Sequence, residues 1–420
     1  MRLALIPTLL CALMGFTSTA TAADAGLKDG DYVAVIGDSI TEQKLYSLNI
    51  ESYLLMCQPK KGLSATQFGW GGETAEGFGR RMANDCLRFK PMVATTCFGM
   101  NDGRYSPMDD GKAKWYRDNQ RSVVKQLKDA GVRFIVLGSP GVVDSETFRK
   151  DPAAAEMYNK TLAALRDIDR DLAKEEGITF ANVYDAMMEV MTKAKAKYGK
   201  AYHLAGGDGV HPDRNGHLVM AYAFLKALGC DGDIGTITVD LGKNSATASD
   251  GHKVQSVKDG AVEVLSERYP FCFYDDPAKT SSTRGVLEFM PFNQELNRFR
   301  LVVTNIGAPK AKVTWGKESH EYSAADLEKG VNLAADFLDN PFSEPFRQVE
   351  GVIFQKQNME TPLVKQALHD LPVYTTLVPD EKAAFERVAD VLVKKDVDAR
   401  AGATAAVKPV THTVVIQAVK

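Results

Sequence analysis

The sequence predicts an α/β sandwich built on a parallel sheet in its first half, followed by a smaller β-rich region. From residue 24 onward, apolar runs of strand length alternate with amphipathic stretches of helical length. The apolar runs show no polar alternation, which indicates strands that are buried on both faces. Strands interleaved with helices require crossover connections, so we expect them to run parallel. The predicted strands are Tyr32–Ile36, Leu63–Phe68, Met92–Phe98, Arg133–Leu137 and Thr179–Val183.

Two of the intervening helices are indicated by apolar side chains that recur on one helical stripe. These side chains are Tyr116, Val123, Val124, Leu127 and Ala130 in one helix, and Tyr158, Leu162, Leu165 and Leu172 in the next. Gly131 ends the first of these helices, as a C-terminal glycine does. Ligands of parallel α/β sheets bind outside the carboxyl ends of the strands. We therefore expect the functional residues to follow the strand ends.

The pattern changes after about Cys230, where short alternating segments with Gly, Asn and Asp between them indicate a β-rich unit. These segments are Ile237–Leu241, Val262–Leu265, Phe299–Thr304 and Lys312–Trp315. Helices are then predicted at Ala324–Leu338 and Asp380–Lys395, and a strand at Thr413–Val419, after an Ala-rich linker at Ala399–Ala406. We divide the chain into a leader (1–22), a first domain (23–230) and an accessory region (231–420). The accessory region is predicted to be β-rich over 231–320 and helical over 321–400, with a final strand within 411–420.

The N-terminus has the features of a secretory signal peptide. Arg2 precedes the apolar stretch Leu3–Phe16, and small residues lead to the sequence ATA at residues 20–22, which is an A-x-A cleavage pattern. The mature protein is therefore expected to be secreted or periplasmic. A lipoprotein acceptor at Cys11 is an alternative, which the bulky Leu10 disfavours. No later segment approaches ~20 uninterrupted apolar residues, so no membrane span is expected.

Composition excludes several classes of protein. A hydrophobic fraction of 45% and a charged fraction of 25% are typical of a globular protein, and 420 residues exceed what one core usually supports. The net charge of -3 provides no broad attraction for polyanions, so nucleic acid is not an expected partner. No Cys or His spacing indicates a metal site.

Five cysteines remain after the leader, an odd number for an oxidising compartment, so at least one is expected to lack an intramolecular partner. Cys97 lies in a buried-strand pattern and is interpreted as a small core residue. The pairings considered for the others are Cys57 with Cys86 and Cys230 with Cys272.

Ser39 follows the first predicted strand within the sequence IGDSITEQ, residues 36–43. A helix is expected to follow, so the hydroxyl would lie near the positive end of the helix dipole, where an oxyanion is favoured. The same residue types are common in turns, and Ser39 as a helix cap is the alternative.

Two further strand ends carry candidate oxyanion donors. The second strand is followed by GWGGET, residues 69–74, whose glycines let backbone N–H groups approach a ligand closely. The third is followed by GMND, residues 99–102, in which the amide of Asn101 can donate to a developing oxyanion. A tight turn at Gly72 and an Asx-turn at Asn101 are the alternatives.

His211 is the histidine with the surroundings of a catalytic base. It closes the sequence GDGVH, residues 207–211, ahead of a predicted helix at Asn215–Leu228. The three-residue spacing lets Asp208 reach the imidazole and hold it in one tautomer. His217 is expected to pack or to lie at the surface. The remaining histidines are interpreted as structural or solvated: His203, His252, His320, His369 and His412.

In this order, the four segments resemble the blocks of the SGNH hydrolases, the superfamily of GDSL-type esterases and lipases. The matching segments are Gly37-Asp38-Ser39, Gly72, Gly99-Met100-Asn101-Asp102 and Asp208-Gly209-Val210-His211. The resemblance covers Asp31 to Leu228, and Ser-Ile replaces Ser-Leu in the first block, a common variation. It implies a flavodoxin-like three-layer α/β/α sandwich. No Gly-x-Ser-x-Gly elbow is present, so the α/β-hydrolase fold is not expected.

The resemblance also implies roles for individual residues. Ser39 would be the nucleophile, His211 the general base and then acid, and Asp208 the group that orients the imidazole. The oxyanion hole would consist of the Ser39 and Gly72 N–H groups and the Asn101 amide. No metal or other cofactor is implied.

The implied activity is ester hydrolysis, and we expect a carbohydrate O-acetylesterase because the appended region looks like those of bacterial carbohydrate-active esterases. Trp70 and Asp38 are candidate substrate contacts. Trp70 could stack on a sugar ring, as could Trp115, although packing is the alternative for both. Two other functions are considered. One is a lipase or lysophospholipase with a lid at Ala324–Phe342, and the other is a non-catalytic glycan-binding protein that retains the fold.

Overall fold

The computed structural model of the chain describes residues 26–273, 275–276 and 278–419. Its first half is built on a five-stranded parallel sheet with the strand order β2-β1-β3-β4-β5. The strands are β1 (Tyr32–Gly37), β2 (Ser64–Gln67), β3 (Val93–Cys97), β4 (Phe134–Gly138) and β5 (Thr179–Ala181). This is the flavodoxin-like order, so the predicted fold class is confirmed. The strand order reverses beside β1, between β1 and β3, which is where such sheets bind ligands.

Helices cover both faces of this sheet. They are α1 (Ser39–Glu42), α2 (Leu45–Met56), α3 (Ala75–Asp85), α4 (Asp110–Asp129), α5 (Pro152–Glu176), α6 (Val183–Tyr198) and α7 (Arg214–Ala227). Alternate residues of β1 point into two hydrophobic clusters on opposite faces, with Val33 in one and Ala34 in the other. Strands buried on both faces explain why the sequence shows apolar runs here.

The predicted elements of this half are all present, with shifted bounds. The predicted strand Leu63–Phe68 is shorter by one residue at each end, and Thr179–Val183 ends at Ala181. The helix predicted at Asn215–Leu228 is α7. The helix after Ser39 is a single turn, so the dipole expected beside the hydroxyl is that of only a few peptide units.

The second half contains two further sheets. Their strands are β6 (Asp233–Asp240), β7 (Ser245–Ala248), β8 (His252–Lys258), β9 (Ala261–Ser266), β10 (Arg298–Thr304), β11 (Lys310–Trp315), β12 (Glu318–Ser323), β13 (Val331–Asn332) and β14 (Val410–Val419). One sheet has the order β13-β10-β6-β7 and the other, which is antiparallel, the order β12-β11-β14-β9-β8. β14 therefore lies in the middle of its sheet, between β11 and β9.

Helices of the second half follow in the order α8 (Thr283–Val286), α9 (Phe292–Glu295), α10 (Ala324–Lys329), α11 (Leu333–Asp336), α12 (Ser343–Pro362), α13 (Leu371–Leu377) and α14 (Lys382–Ala406). A π-helical segment, Leu363–Leu368, continues directly from α12. Short 3₁₀ turns lie at Leu87–Phe89, Phe148–Lys150, Leu287–Phe289 and Pro379–Glu381.

Two predicted elements of this half were wrong, and the stretch considered as a lid packs against the β-rich unit. The helix predicted at Ala324–Leu338 is interrupted, because Gly330 has a positive φ of 96° and the chain pairs with β10 before α11 begins. The Ala-rich stretch Ala399–Ala406 is not a linker but the end of α14, which is consistent with the high helix propensity of alanine. The large apolar side chains Phe337 and Phe342 of that stretch are buried and pack against Trp315.

The helical part of the second half packs against the edge of the parallel sheet. Lys356 of α12 is buried, donates to the carbonyl oxygen of Ala65 in β2 at 2.8 Å and pairs with Glu51 and Glu360. In α14, Asp396 accepts a hydrogen bond from Thr66 of β2 at 3.0 Å. These contacts hold the C-terminal helices on β2, while the domain boundary at residue 230 stays a prediction.

The cysteines Cys57, Cys86, Cys97, Cys230 and Cys272 are all free and buried. Both predicted bridges were therefore wrong. Cys57 belongs to the hydrophobic cluster that also holds Cys230 and Cys272, whereas Cys86 lies in the cluster on the other face of the sheet. Burial raises the pKa of the Cys57 thiol well above its usual range, as expected for cysteines that act as core residues.

The predicted leader, residues 1–22, lies outside the described residues. None of the helices in the described part of the chain combines the length and the apolar character that crossing a bilayer requires.

A chain of hydrogen bonds in the β-rich region fixes two histidines as neutral. Trp315 Nε1 donates to Nδ1 of His412 at 3.1 Å, so the proton of that ring is on Nε2, which donates to Ser266 Oγ at 2.9 Å. Ser266 in turn donates to His252 Nδ1 at 2.8 Å. Burial lowers the pKa of His412 from 6.5 to about 3, and it also lowers the pKa of His252.

We expect His412 to make the protein less stable in mild acid. Its folded-state pKa lies below its unfolded value, so the unfolded chain takes up the proton first, and stability is lost progressively as the pH falls below 6.5 toward 3. Between pH 7.5 and 5 this loss is roughly 2 kcal/mol for one such histidine. Urea unfolding should show a correspondingly weaker pH dependence for His412→Gln than for the wild type. The exposed His320→Gln serves as the control, and an unchanged pH dependence in His412→Gln would contradict the prediction.

Candidate active site

Ser39 and His211 meet at the carboxyl edge of the parallel sheet, although 172 residues separate them. Ser39 Oγ lies 2.8 Å from His211 Nε2, and His211 Nδ1 lies 2.6 Å from Asp208 Oδ2. A hydroxyl, an imidazole and a carboxylate thus form one hydrogen-bonded chain. Such a chain can deprotonate the hydroxyl and hold the resulting imidazolium.

The helix-cap alternative for Ser39 is excluded by Asp38. The Asp38 carboxylate accepts the N–H of Ile40 at 3.0 Å and is the N-cap of α1. Ser39 is the first residue inside the helix, and its half-buried side chain faces His211. Asp38 therefore caps the helix, and the Ser39 hydroxyl is left to contact His211.

The loop that carries His211 is organised by Asp208. Asp208 Oδ1 accepts the N–H groups of Val210 and His211, both at 2.9 Å, while Oδ2 faces the ring. Partial burial alone would raise the pKa of Asp208, but the hydrogen bonds from His211 and Val210 outweigh it and the pKa is lowered. The carboxylate is therefore ionised at neutral pH and accepts the Nδ1 proton of His211, which leaves Nε2 free to act as a base.

Gly206 and Gly209 let the His211 loop turn tightly. Both have positive φ, and a Cβ at Gly206 would lie 1.9 Å from the carbonyl oxygen of His211. The loop is also held by the C-terminal region, the name used from here on for the described residues after 230. The N–H of Asn215 donates to the Ser281 carbonyl oxygen at 3.0 Å, and the Asn215 amide donates to Thr280 at 3.2 Å.

Asn101 links the end of β3 to the glycine loop, which we define as residues 69–74. Its Nδ2 donates to the carbonyl oxygen of Glu73 at 3.0 Å and to Asp38 Oδ2 at 3.3 Å. The Trp70 N–H donates to the Gly37 carbonyl oxygen at 3.2 Å, so the glycine loop also lies against the end of β1. Gly72 is exposed and has a φ of 75°, a conformation that favours glycine.

Two buried carboxyls support this arrangement. Burial raises the pKa of Asp38 to about 7, although the hydrogen bond from Ile40 opposes the shift. Burial likewise raises the pKa of Asp102 to about 6. Asp102 accepts the N–H groups of Ala75 and Gly99, both at 2.9 Å, and so ties the start of α3 to the end of β3. The contacts of Asp38 are internal, and its predicted role as a substrate contact stays a prediction.

Several residues around the site were not identified from the sequence. Arg81 pairs with Glu73 at 2.5 Å and donates to the Phe68 carbonyl oxygen, which braces the glycine loop from α3. The Tyr105 hydroxyl donates to Asn101 Oδ1 at 3.3 Å. Asp102 lies within the segment GMND, and its position next to Asn101 is the available sequence signal. Arg81 and Tyr105 carry no such signal, because one Arg or Tyr on a helix or in a loop resembles any other.

The other histidines take the roles predicted for them. His217 is buried and accepts the Tyr46 N–H at 3.1 Å, while its Nε2 donates to Gln43 at 3.0 Å. Burial lowers its pKa to about 3, so it packs as a neutral ring. His369 lies apart from the Ser39–His211 pair but contacts Trp70, with ring centroids 4.7 Å apart. Trp70 is half-buried between charged side chains, and Trp115 lies under the guanidinium of Arg104.

A groove of about 480 Å³ runs beside the glycine loop and is lined by residues that include Trp70, Glu73, Arg80, His369 and Val373. A larger cavity of about 630 Å³ lies elsewhere, and Leu55 and Arg268 are among its lining residues. Ser39, His211 and Asp208 are not among the residues that line that cavity. The hydrogen-bonded geometry therefore identifies the candidate site better than cavity size does.

Comparisons with known proteins agree with this fold. Residues 35–219 match the GDSL-like Lipase/Acylhydrolase family. An acetylxylan esterase of Geobacillus stearothermophilus is 25% identical over 221 residues, which are 48% of this chain and 94% of that protein.

Two solved structures are also similar to the chain. BT4096, a gut microbial diltiazem-metabolizing enzyme, has a TM-score of 0.73 at 22% identity and covers 94% of this chain and 99% of its own. The acetylxylan esterase Axe2 of Geobacillus stearothermophilus has a TM-score of 0.40 at 22% identity, over 49% of this chain and 96% of its own. The first likeness extends the shared fold into the C-terminal region.

Proposed function

Residues 35–219 of this chain belong to the GDSL-like lipase/acylhydrolase family. We propose that the protein hydrolyses an ester with Ser39 as the nucleophile, His211 as the general base and Asp208 as the group that orients His211. Membership of the family makes the chain a carboxylic ester hydrolase. The main support for these roles is a pair of hydrogen bonds. One joins Ser39 Oγ to His211 Nε2 at 2.8 Å, and the other joins His211 Nδ1 to Asp208 Oδ2 at 2.6 Å. We further propose that the ester is the O-acetyl group of a carbohydrate.

In the first step, Ser39 Oγ attacks the ester carbonyl carbon while its proton passes to His211 Nε2. A C–O bond forms, and the electron pair of the C=O π bond moves to the carbonyl oxygen. Asp208 holds the proton on Nδ1 and stabilises the imidazolium that results. The oxyanion is stabilised by the N–H groups of Ser39 and Gly72 and by the Asn101 amide.

Collapse of this intermediate breaks the bond to the alcohol oxygen, which takes the proton from His211 Nε2. The acyl group stays on Ser39 as an ester. A water molecule then gives its proton to His211 and attacks the acyl carbon, and the second collapse returns the proton to Ser39 Oγ and releases the carboxylic acid. No group beyond these side chains and water is needed to balance the reaction.

Two observations support a carbohydrate ester. The relative that is 25% identical is an acetylxylan esterase. The candidate site is also open, because the side chains of His211 and Asp208 are 36% and 56% exposed. An open site of this kind can accept an internal residue of a polysaccharide without the opening of a lid. A secreted or periplasmic location, as predicted from residues 1–22, would bring the enzyme to such a polymer.

The nucleophile can be tested with a serine-directed fluorophosphonate followed by peptide mass spectrometry. We expect the added mass on the peptide that contains Ser39, since only a serine paired with a base is activated. Ser39→Ala should remain unlabelled, whereas a variant at an exposed serine of α4, Ser122→Ala, should label like the wild type. Labelling at another serine, or none in the wild type, would refute the assignment.

The substrate can be tested by measuring acetate release from acetylated xylooligosaccharides alongside 4-nitrophenyl esters of increasing acyl length. We expect Ser39-dependent acetate release and a preference for acetyl over long acyl groups. A preference for long acyl chains would favour the lipase alternative. Equal results for wild type and Ser39→Ala on every ester would favour a glycan-binding protein.

A further inference from the structure

Glu42 joins the nucleophile helix, the glycine loop and the C-terminal region. It is the last residue of α1, the helix that begins with Ser39. Its Oε2 accepts the N–H of Gly71 at 2.5 Å, and its Oε1 accepts Nζ of Lys365 at 2.7 Å. The side chains of Glu42 and Lys365 are each only 24% exposed, so solvent screens this ion pair less than one at the open surface.

The Gly71 N–H matters because it precedes the proposed oxyanion donor. Two consecutive glycines, Gly71 and Gly72, give the backbone its greatest freedom, and an oxyanion donor is effective only when it is held in place beforehand. Glu42 fixes the peptide before Gly71 and thereby limits the orientations open to the next peptide, which carries the Gly72 N–H. Within the described residues, no backbone carbonyl oxygen accepts the Gly72 N–H, and Gly72 is exposed, so this N–H can donate to a bound ester.

Trp70, the preceding residue, is held by the same C-terminal segment. Lys365 Nζ lies 4.8 Å from the centre of its ring, which is within the range of a cation–π contact. The ring centroid of His369 lies 4.7 Å from that of Trp70, and the guanidinium carbon Cζ of Arg81 lies 4.8 Å from the centre of the Trp70 ring. His369 also contacts Asp85 of α3 at 2.7 Å. Lys365 and His369, which are four residues apart, thus both contact the glycine loop, and His369 also contacts α3.

The segment that contains Lys365 is held against the α3 face of the sheet by buried apolar side chains. It is the π-helical segment Leu363–Leu368, which begins after Pro362, a residue without an N–H to donate. Leu363, Val364 and Leu368 are buried in the hydrophobic cluster that lies on the α3 face of the sheet. π-Helical turns are uncommon and are frequent at functional sites. The apolar face of the turn anchors it, while Lys365 faces the glycine loop.

We propose that Lys365 is a positioning residue of the active site, which acts through Glu42 and Trp70 to hold the Gly71–Gly72 peptide ready for the oxyanion. The C-terminal region is then a working part of the esterase rather than an appended module. This inference rests on the proposed function, since it assigns a task to the donor at Gly72.

The test compares Lys365→Met with Lys365→Arg in the full-length protein, using 4-nitrophenyl acetate. Methionine keeps the length of the side chain and removes its charge, whereas arginine restores the charge. We expect kcat of Lys365→Met to fall about 10-fold with KM nearly unchanged, a part of the ~10²–10³ expected for deleting a donor outright. Arginine should recover most of the rate. Lys394→Met, which removes a lysine from an exposed ion pair of α14, is the matched control.

A double-mutant cycle with Glu42→Gln adds a second readout. If Lys365 acts through Glu42, the two substitutions should not be additive in kcat. Thermal unfolding and titration of reactive sites with the fluorophosphonate separate a loss of folded protein from a loss of rate.

The inference is wrong if kcat of Lys365→Met stays within about twofold of the wild type, or if arginine rescues nothing; the threshold is small beside the effect of a lost oxyanion donor. A wild type with no Ser39-dependent activity would overturn the proposed function and this inference together. An active wild type that is insensitive to Lys365 overturns the inference alone.

Discussion

Alanine at His211 is expected to lower kcat for 4-nitrophenyl acetate by roughly 10⁴- to 10⁶-fold, with a much smaller change in KM. The imidazole takes the proton from Ser39 and later returns it to the leaving alcohol, so its loss affects both steps of the reaction. Binding of the ester depends on other groups and should persist. Steady-state kinetics of His211→Ala beside Ser39→Ala and an enzyme-free blank would separate residual catalysis from background hydrolysis.

The control for this variant is His320→Ala, because His320 is exposed on β12 in the C-terminal region. It should retain the wild-type rate. Asp208→Asn is expected to be less severe than His211→Ala, since Asp208 orients the ring and its side chain is 56% exposed, so water can take over part of its role. A His211→Ala enzyme with a tenth of the wild-type kcat or more would contradict a Ser–His mechanism, for which losses of ~10⁴ are typical.

Alanine at Asn101 is expected to lower kcat by ~10²–10³-fold, the usual cost of one oxyanion donor. In the free protein the Asn101 amide donates to the Glu73 carbonyl oxygen and to Asp38. The proposed reaction uses the same amide to stabilise the charge that develops on the substrate oxygen. Because that charge exists only in the transition state, the loss should appear in kcat rather than in KM.

Asn101→Asp should be at least as harmful as Asn101→Ala, since it brings a second carboxylate toward Asp38. Asn119→Ala is the control, because among the described residues the Asn119 side chain bonds just its own helix, at the Trp115 carbonyl oxygen. Should Asn101→Ala raise KM alone, Asn101 would be a ground-state binding residue and not an oxyanion donor.

The parallel sheet and the four site segments were predictable because their signals are local. A strand buried on both faces is apolar at every position, and a turn at its carboxyl end needs glycine or a small polar residue. Ser39 and Asn101 each follow a strand end, whereas Asp208 lies in the loop between α6 and α7. In a parallel sheet the strand ends face the same edge, so Ser39 and Asn101 were expected to lie close together, and only the resemblance placed Asp208 with them.

The predicted pairing of Cys57 with Cys86 failed for a reason that concerns the sheet. Cys57 and Cys86 have no local feature that tells which face of the sheet each one occupies. The fold assigns them to opposite faces, and the sheet separates the two sulfur atoms. Sequence spacing alone carries no such information, because either face accepts a small apolar side chain.

The sequence by itself determined the class of fold, because apolar periodicity is a local signal. Its four short segments also resemble the SGNH blocks, and that resemblance predicts the serine, the histidine and the carboxylate of the proposed site. Only the tertiary structure decided that Lys365 reaches Glu42 and that His369 reaches Trp70. These partners lie about 300 residues apart, and Lys and Glu are common on every solvated helix. Which of them meet is set by how the C-terminal helices pack on β2, an arrangement fixed by buried contacts spread over the whole interface.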